Sequence, residues 1–189
     1  MEDNQRLQPQ ADVPHPIRLL LLEDNAADAE LAQRLLERAG LQLATVVVET
    51  RVAFVDQLAA FGPHIILCDF ALPGFSGAAA LEIAQEGYPE VPVIIWSGVL
   101  GDEAAVELIK HGATDYILKD RPARLASAIR RALAEAGQRV RLAGLEAELH
   151  EARRLASLGQ LAAAEQALRR TREQLAAARH EAMAADTTA

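Results

Sequence analysis

Four short apolar runs in this chain end on residues that can handle a metal ion or a phosphoryl group. Glu23 and Asp24 follow the run 17–22, Asp69 follows 65–68, Ser97 follows 93–96, and Lys119 follows 116–118. If these runs are neighbouring strands of one doubly wound sheet, the polar residues meet at the carboxyl edge, where such sheets bind ligands. Three carboxylates repel one another, so a divalent hard cation, which selects oxygen ligands, lowers the cost of ionising them together. The same cation neutralises an incoming phosphoryl group and leaves Asp69 free to act as a nucleophile on phosphorus. Lys119 and the Ser97 hydroxyl are the donors within reach of the charge that this adds. A single carboxylate at a strand end is more often a helix cap or a solvated charge; five polar residues in matching positions reverse that preference.

The elements that must position them are legible in the hydrophobic pattern. Strands are expected at 17–22, 44–48, 65–68, 93–96 and 116–118, continuously apolar as in a parallel sheet covered on both faces. Amphipathic segments at 27–39, 52–61, 77–86, 103–111 and 122–136 alternate with them, the first placing Leu31, Ala32, Leu35, Leu36 and Ala39 on one face. Five such units predict an α/β fold with a doubly wound five-stranded parallel sheet. Residues 1–16 are polar and proline-rich and read as a flexible arm, 17–136 as the α/β domain, and 137–189 as a helical coiled-coil extension.

Charge divides the chain in the same place. Residues 1–137 carry 11 Lys/Arg against 20 Asp/Glu, whereas 138–189 carry 8 against 7. The formal net charge of −8 argues against a nucleic-acid module, which needs a cationic surface. The lone Cys68 excludes an internal disulfide, no apolar run reaches bilayer length, and the N-terminus lacks the layout of a signal peptide, so the expected location is cytoplasmic. None of His15, His64, His111, His150 and His180 has a metal-ligand partner at helical spacing, and solvated surface is expected for them. Cys68 and Trp96, on buried strands, read as core.

With order and spacing in place, the stretch from about Ile17 to Leu133 resembles the receiver domain of two-component response regulators. The resemblance rests on LLLLEDN at 19–25, IILCDFALPGFSG at 65–77, VIIWSG at 93–98 and GATDYILKD at 112–120. It implies a flavodoxin-like fold with Asp69 as phosphoacceptor and Glu23 and Asp24 holding Mg²⁺ together with Asp69 and the backbone carbonyl of Ala71. It further implies Ser97 as the switch hydroxyl, Tyr116 as the switch aromatic that fills the space Ser97 vacates, and Lys119 as the lysine beside the phosphoryl group. The partner implied is a histidine kinase or phosphotransfer protein, with the signal relayed through the 4-5 face and the C-terminal helix. The chain would then be no enzyme beyond self-catalysed phosphoryl acceptance and slow autodephosphorylation. Ala71 and Val99, two residues beyond Asp69 and Ser97, cannot orient a hydrolytic water.

Similar receivers carry proline directly after the lysine with a cis peptide, whereas Asp120 follows here and proline waits until Pro122. A cis bond at a non-proline residue costs ~3–4 kcal/mol, so the isomer at Lys119–Asp120 is open at this point. Gly74 and Gly77 are expected to serve loop geometry and entry into the third helix. Two other readings stand beside the first: a receiver-like scaffold or dimerisation module that is never phosphorylated, and a Mg²⁺-dependent phosphatase on a similar fold. The second would place another Asp two residues after the nucleophile, where this chain has Ala71.

The tail carries Leu142, Leu145, Leu149 and Ala152 at 3-4-3 spacing, then Leu161, Leu168 and Leu175 every seventh residue. The two sets are out of phase, so the seam must shift or the helix must break, with Gly159 the place for a break and Gly137 a possible earlier cap. RRLASLGQLAA at 153–163 resembles the stretch before the phosphorylated histidine of sensor kinase dimerisation helices, but Ala167 stands near where that histidine would be. A plain coiled coil and a kinase-helix mimic are both open, and either predicts a homodimer.

Overall fold

The structure, a computed structural model, describes residues 14–98 and 102–186. Five strands form one parallel sheet: β1 (Ile17–Leu22), β2 (Leu43–Val48), β3 (Ile65–Asp69), β4 (Val93–Ser97) and β5 (Asp115–Leu118), in the order β2-β1-β3-β4-β5. The order reverses between β1 and β3, so the crevice outside their carboxyl ends is the topological switch point. Register sets the depth of that crevice: Leu22 lies opposite Cys68, Asp69 opposite Trp96, and Ser97 opposite Leu118.

Helices α1 (Ala26–Arg38), α2 (Arg51–Ala60), α3 (Gly77–Gly87), α4 (Asp102–Lys110) and α5 (Leu125–Asp186) complete the five units. Successive side chains of a strand point to opposite faces. In β1, accordingly, Ile17, Leu19 and Leu21 join a core with α1 and α5, while Leu20 and Leu22 join a second core with α2 and α3. Helix α1 departs from the expected face: Ala29, Ala32 and Leu36 are buried, and Leu31 is 41% exposed. Small alanines let the helix lie close to the sheet, and at 100° per residue Leu31 falls outside the stripe that Ala29, Ala32 and Leu36 define. Helix α5 covers its side of the sheet with Leu125, Ala128, Ile129, Ala132 and Leu133.

The chain divides into two units after Val140. The second unit is helix throughout its described backbone. Neither Gly137 nor Gly159 interrupts α5, so any change of phase in the leucine pattern is carried by an unbroken helix. Leu142, Leu145, Leu149, Leu158, Leu168 and Leu175 are each more than half exposed. Most of the proposed N-terminal arm, residues 1–13, lies outside the described residues, as does Val99. No helix among the described residues is long and apolar enough to cross a membrane.

Candidate functional site

At the end of β1 three consecutive residues take three roles. Glu23 turns inward and is buried, with its N–H still bonded to the Val48 carbonyl at 3.0 Å as if the strand continued. Asp24 is exposed. Asn25 caps α1 by accepting from the Ala27 N–H at 3.0 Å, and its own N–H donates to Glu23 Oε1 at 3.2 Å.

Asp69 ends β3 and is 7% exposed. Its Oδ1 accepts the Ala71 N–H at 3.1 Å and its Oδ2 accepts from Lys119 Nζ at 2.8 Å. The loop beyond turns through Gly74 at φ +80° and enters α3 at Gly77, whose N–H donates to the Phe70 carbonyl at 3.1 Å. A Cβ on Gly77 would stand 2.6 Å from the Asp69 carbonyl oxygen and 2.8 Å from Phe70 Cα. Glycine is therefore required by the close approach of α3 to the backbone of Asp69 itself.

Lys119 follows β5, anchored by its N–H on the Ser97 carbonyl at 2.8 Å. The peptide to Asp120 is trans, and the chain turns by an Arg121 N–H to Leu118 carbonyl bond of 3.1 Å before Pro122 opens a 3-10 turn. The missing proline is thus met by a trans turn, and Lys119 still reaches the pocket. Its Nζ donates to Glu23 Oε2 at 2.7 Å, to Asp28 Oδ2 at 2.8 Å and to Asp69 Oδ2 at 2.8 Å. Burial alone would lower the affinity of this ammonium for its proton; hydrogen bonds to Asp28, Asp69 and Glu23 outweigh it and hold the pKa well above the ordinary value. For Glu23 burial is the larger influence and raises the carboxyl, against the opposing pull of Lys119.

Carboxylate oxygens of Glu23, Asp24 and Asp69 lie within 4.8 Å of one another. Three oxygen donors so placed, two of them buried, suit a small hard cation such as Mg²⁺. Ala71 stands exposed in the loop after β3. Ser97 is completely buried at the end of β4, and Tyr116, half-buried on β5, packs against the core on the α2–α3 face. The structure therefore brings Glu23, Asp24, Asp69 and Lys119 together, with Ser97 on the adjoining strand end.

Nothing in the sequence singles out Asp28. An acid in the first turn of a helix reads as a complement to the helix dipole, and nothing in its spacing pointed 91 residues ahead to Lys119. His64 also departs from expectation. It is partly buried, accepts the Arg18 N–H at 3.1 Å through Nδ1, and burial followed by the Arg18 charge lowers its pKa. Cys68 is core as expected, its thiol pushed up by burial first and then by Asp69 and Glu23, which leaves it inert.

The family profile described as the response regulator receiver domain matches residues 19–130. The regulatory protein LuxO of Vibrio vulnificus is 30% identical over 99 residues, which is 52% of this chain and 21% of that protein. The DNA-binding transcriptional regulator NtrC of Escherichia coli is 31% identical over the same length and shares. The chain thus spans about a fifth of the length of these curated relatives. Among solved structures, NtrX from Brucella abortus superimposes with a TM-score of 0.61 at 26% identity, over 68% of this chain and 29% of that one. A CheY-like receiver domain protein from Methanospirillum hungatei gives 0.57 at 25%, over 65% and 98%. The switch-point site on a β2-β1-β3-β4-β5 sheet and a profile match covering more than half of the residues agree: the chain belongs to the response regulator receiver domain family.

Proposed function

We propose that the chain takes a phosphoryl group onto Asp69 from a histidine kinase or phosphotransfer protein. The observation that carries this reading is the Lys119 ammonium 2.8 Å from Asp69 Oδ2, beside a carboxylate triad confined within 4.8 Å. A carboxylate oxygen of Asp69 forms the new bond to phosphorus while the donor's P–N bond breaks, its electron pair leaving on the imidazole nitrogen. Each Asp69 oxygen keeps a lone pair beyond the one that accepts a hydrogen bond. Glu23, Asp24 and Asp69, with the Ala71 carbonyl, would hold Mg²⁺, which when bound neutralises charge on the phosphoryl oxygens. Lys119 donates to the same oxygens, and Ser97 is the switch hydroxyl. Tyr116 follows it by filling the vacated space.

The acyl phosphate is long-lived in this reading, because the Ala71 side chain cannot orient water. Beyond self-catalysed acceptance and slow loss of phosphate, the chain is no enzyme. The signal leaves through the 4-5 face and α5 of a cytoplasmic protein, and the exposed leucines of the tail pair with those of a second copy. Incubation with labelled acetyl phosphate and Mg²⁺ tests the core of the reading. Acid-labile, hydroxylamine-sensitive label is expected on the native chain and none on Asp69→Asn; undiminished labelling of the variant refutes it.

A further inference from the structure

The Lys119 ammonium has three N–H donors, and all three are committed. Glu23 Oε2 and Asp69 Oδ2 take two; Asp28 Oδ2, from the first turn of α1, takes the third at 2.8 Å. The first two acceptors belong to the carboxylate triad, and a dication seated there competes with Lys119 for both and repels the ammonium. Asp28 is the partner outside the triad. The turn after β5 does not fix the ammonium either, because the backbone is anchored through the Lys119 N–H on the Ser97 carbonyl, while the side chain reaches to Glu23 after β1 and Asp28 in α1.

We propose that Asp28 is a positioning residue that holds the Lys119 ammonium over the pocket once a cation occupies Glu23 and Asp69. The inference rests on the phosphoacceptor reading for its consequence, but the coupling between Asp28 and Lys119 stands by itself. Asp28 is not a member of the carboxylate triad, and its part is played through Lys119. Removing it frees the ammonium to follow the repulsion and leave the line of the incoming phosphoryl group.

The test is a double-mutant cycle on the full chain with Asp28→Asn, Lys119→Met and both together. Urea unfolding in EDTA reads the coupling without any cation. Asp28→Asn is expected to lower the folding constant about fivefold to tenfold more in the native background than beside Lys119→Met. Loss of the favourable charge at the start of α1 is common to both backgrounds and cancels. With acetyl phosphate and saturating Mg²⁺, Asp28→Asn should lower the maximal rate of labelling about tenfold while the half-saturating Mg²⁺ concentration moves less than threefold. Asp28→Glu should recover most of that rate, since Asp28 is 32% exposed and has room for a longer acid. Equal effects of Asp28→Asn in both backgrounds overturn the proposal. So does an unchanged rate in Asp28→Asn, or a loss explained wholly by Mg²⁺ affinity. If the native chain takes no label although the EDTA coupling is present, the phosphoacceptor reading fails while the contact survives. If Lys119→Met does not fold, Asp28→Asn against Asp28→Glu decides through the rate alone: equal rates refute it.

Discussion

Substituting Gly77 by alanine sets two physical effects against each other with opposite signs. Alanine favours the helix and narrows the unfolded ensemble, so at a compatible site it stabilises by about 0.4–1 kcal/mol. At Gly77, however, the new Cβ would stand 2.6 Å from the Asp69 carbonyl oxygen and 2.8 Å from Phe70 Cα. Contacts of this kind ordinarily begin near 3.4 Å, so the start of α3 must retreat by roughly 0.6–0.8 Å. Both obstructing atoms are backbone and cannot swing aside. The Gly77 N–H to Phe70 carbonyl bond, already 3.1 Å, lengthens with the retreat. Overpacking of this order costs about 1–3 kcal/mol, and mid-range values of the two opposing effects leave a net loss of roughly 1 kcal/mol for Gly77→Ala. Gly87→Ala, at the other end of the same helix with nothing within 4 Å of its Cβ, keeps only the favourable effect. Urea unfolding of the two variants separates the cases through the midpoint at constant slope. A Gly77→Ala chain as stable as the native one, or a Gly87→Ala chain that loses as much, refutes the close-approach reasoning.

Leu36→Ala should cost about 2–5 kcal/mol because Leu36 is fully buried, whereas Leu31→Ala, on the same helix but 41% exposed, should cost under about 1 kcal/mol; equal losses on denaturation would contradict the assigned face of α1. The raised pKa of Lys119 makes the folded chain keep a proton that the unfolded chain releases above 10.5, so this contribution to stability is full below pH 10.5 and declines as pH rises toward the folded value. Lys119→Met should flatten the alkaline limb of the stability profile, and an unaltered limb would count against the three-carboxylate contact. For the tail, sedimentation at concentrations on the order of tens of micromolar should find the intact chain dimeric and a chain ending at Val140 monomeric. Monomers in both cases would remove the tail pairing.

Much of the fold is legible along the chain because its inner strands, β1, β3 and β4, are buried on both faces. A strand such as Ile65–Asp69 then shows up as an unbroken apolar run ending on a charge, and the position of that charge is the position of the site. Glu23, Asp24, Asp69, Ser97 and Lys119 are candidates in the sequence because each ends or closely follows such an apolar run. Boundaries shifted by a residue where a polar residue belongs to the strand, as with Asp69 and Ser97.

What the chain alone could not disclose depends on approach between distant segments. Periodicity places Leu31 on an apolar stripe but does not say how near α1 lies to the sheet, and the alanines decide it by letting Leu36 in and leaving Leu31 out. Gly77 reads as a loop glycine until α3 is seen against the carbonyl of Asp69. Asp28 reads as a dipole-complementing acid until Lys119, 91 residues later, is folded onto it. Local sequence encodes hydrogen-bonding geometry and hydrophobic period, which act over a few residues. Which carboxylates share one ammonium is set only when five strands are stacked in register, and that is a property of the closed tertiary structure.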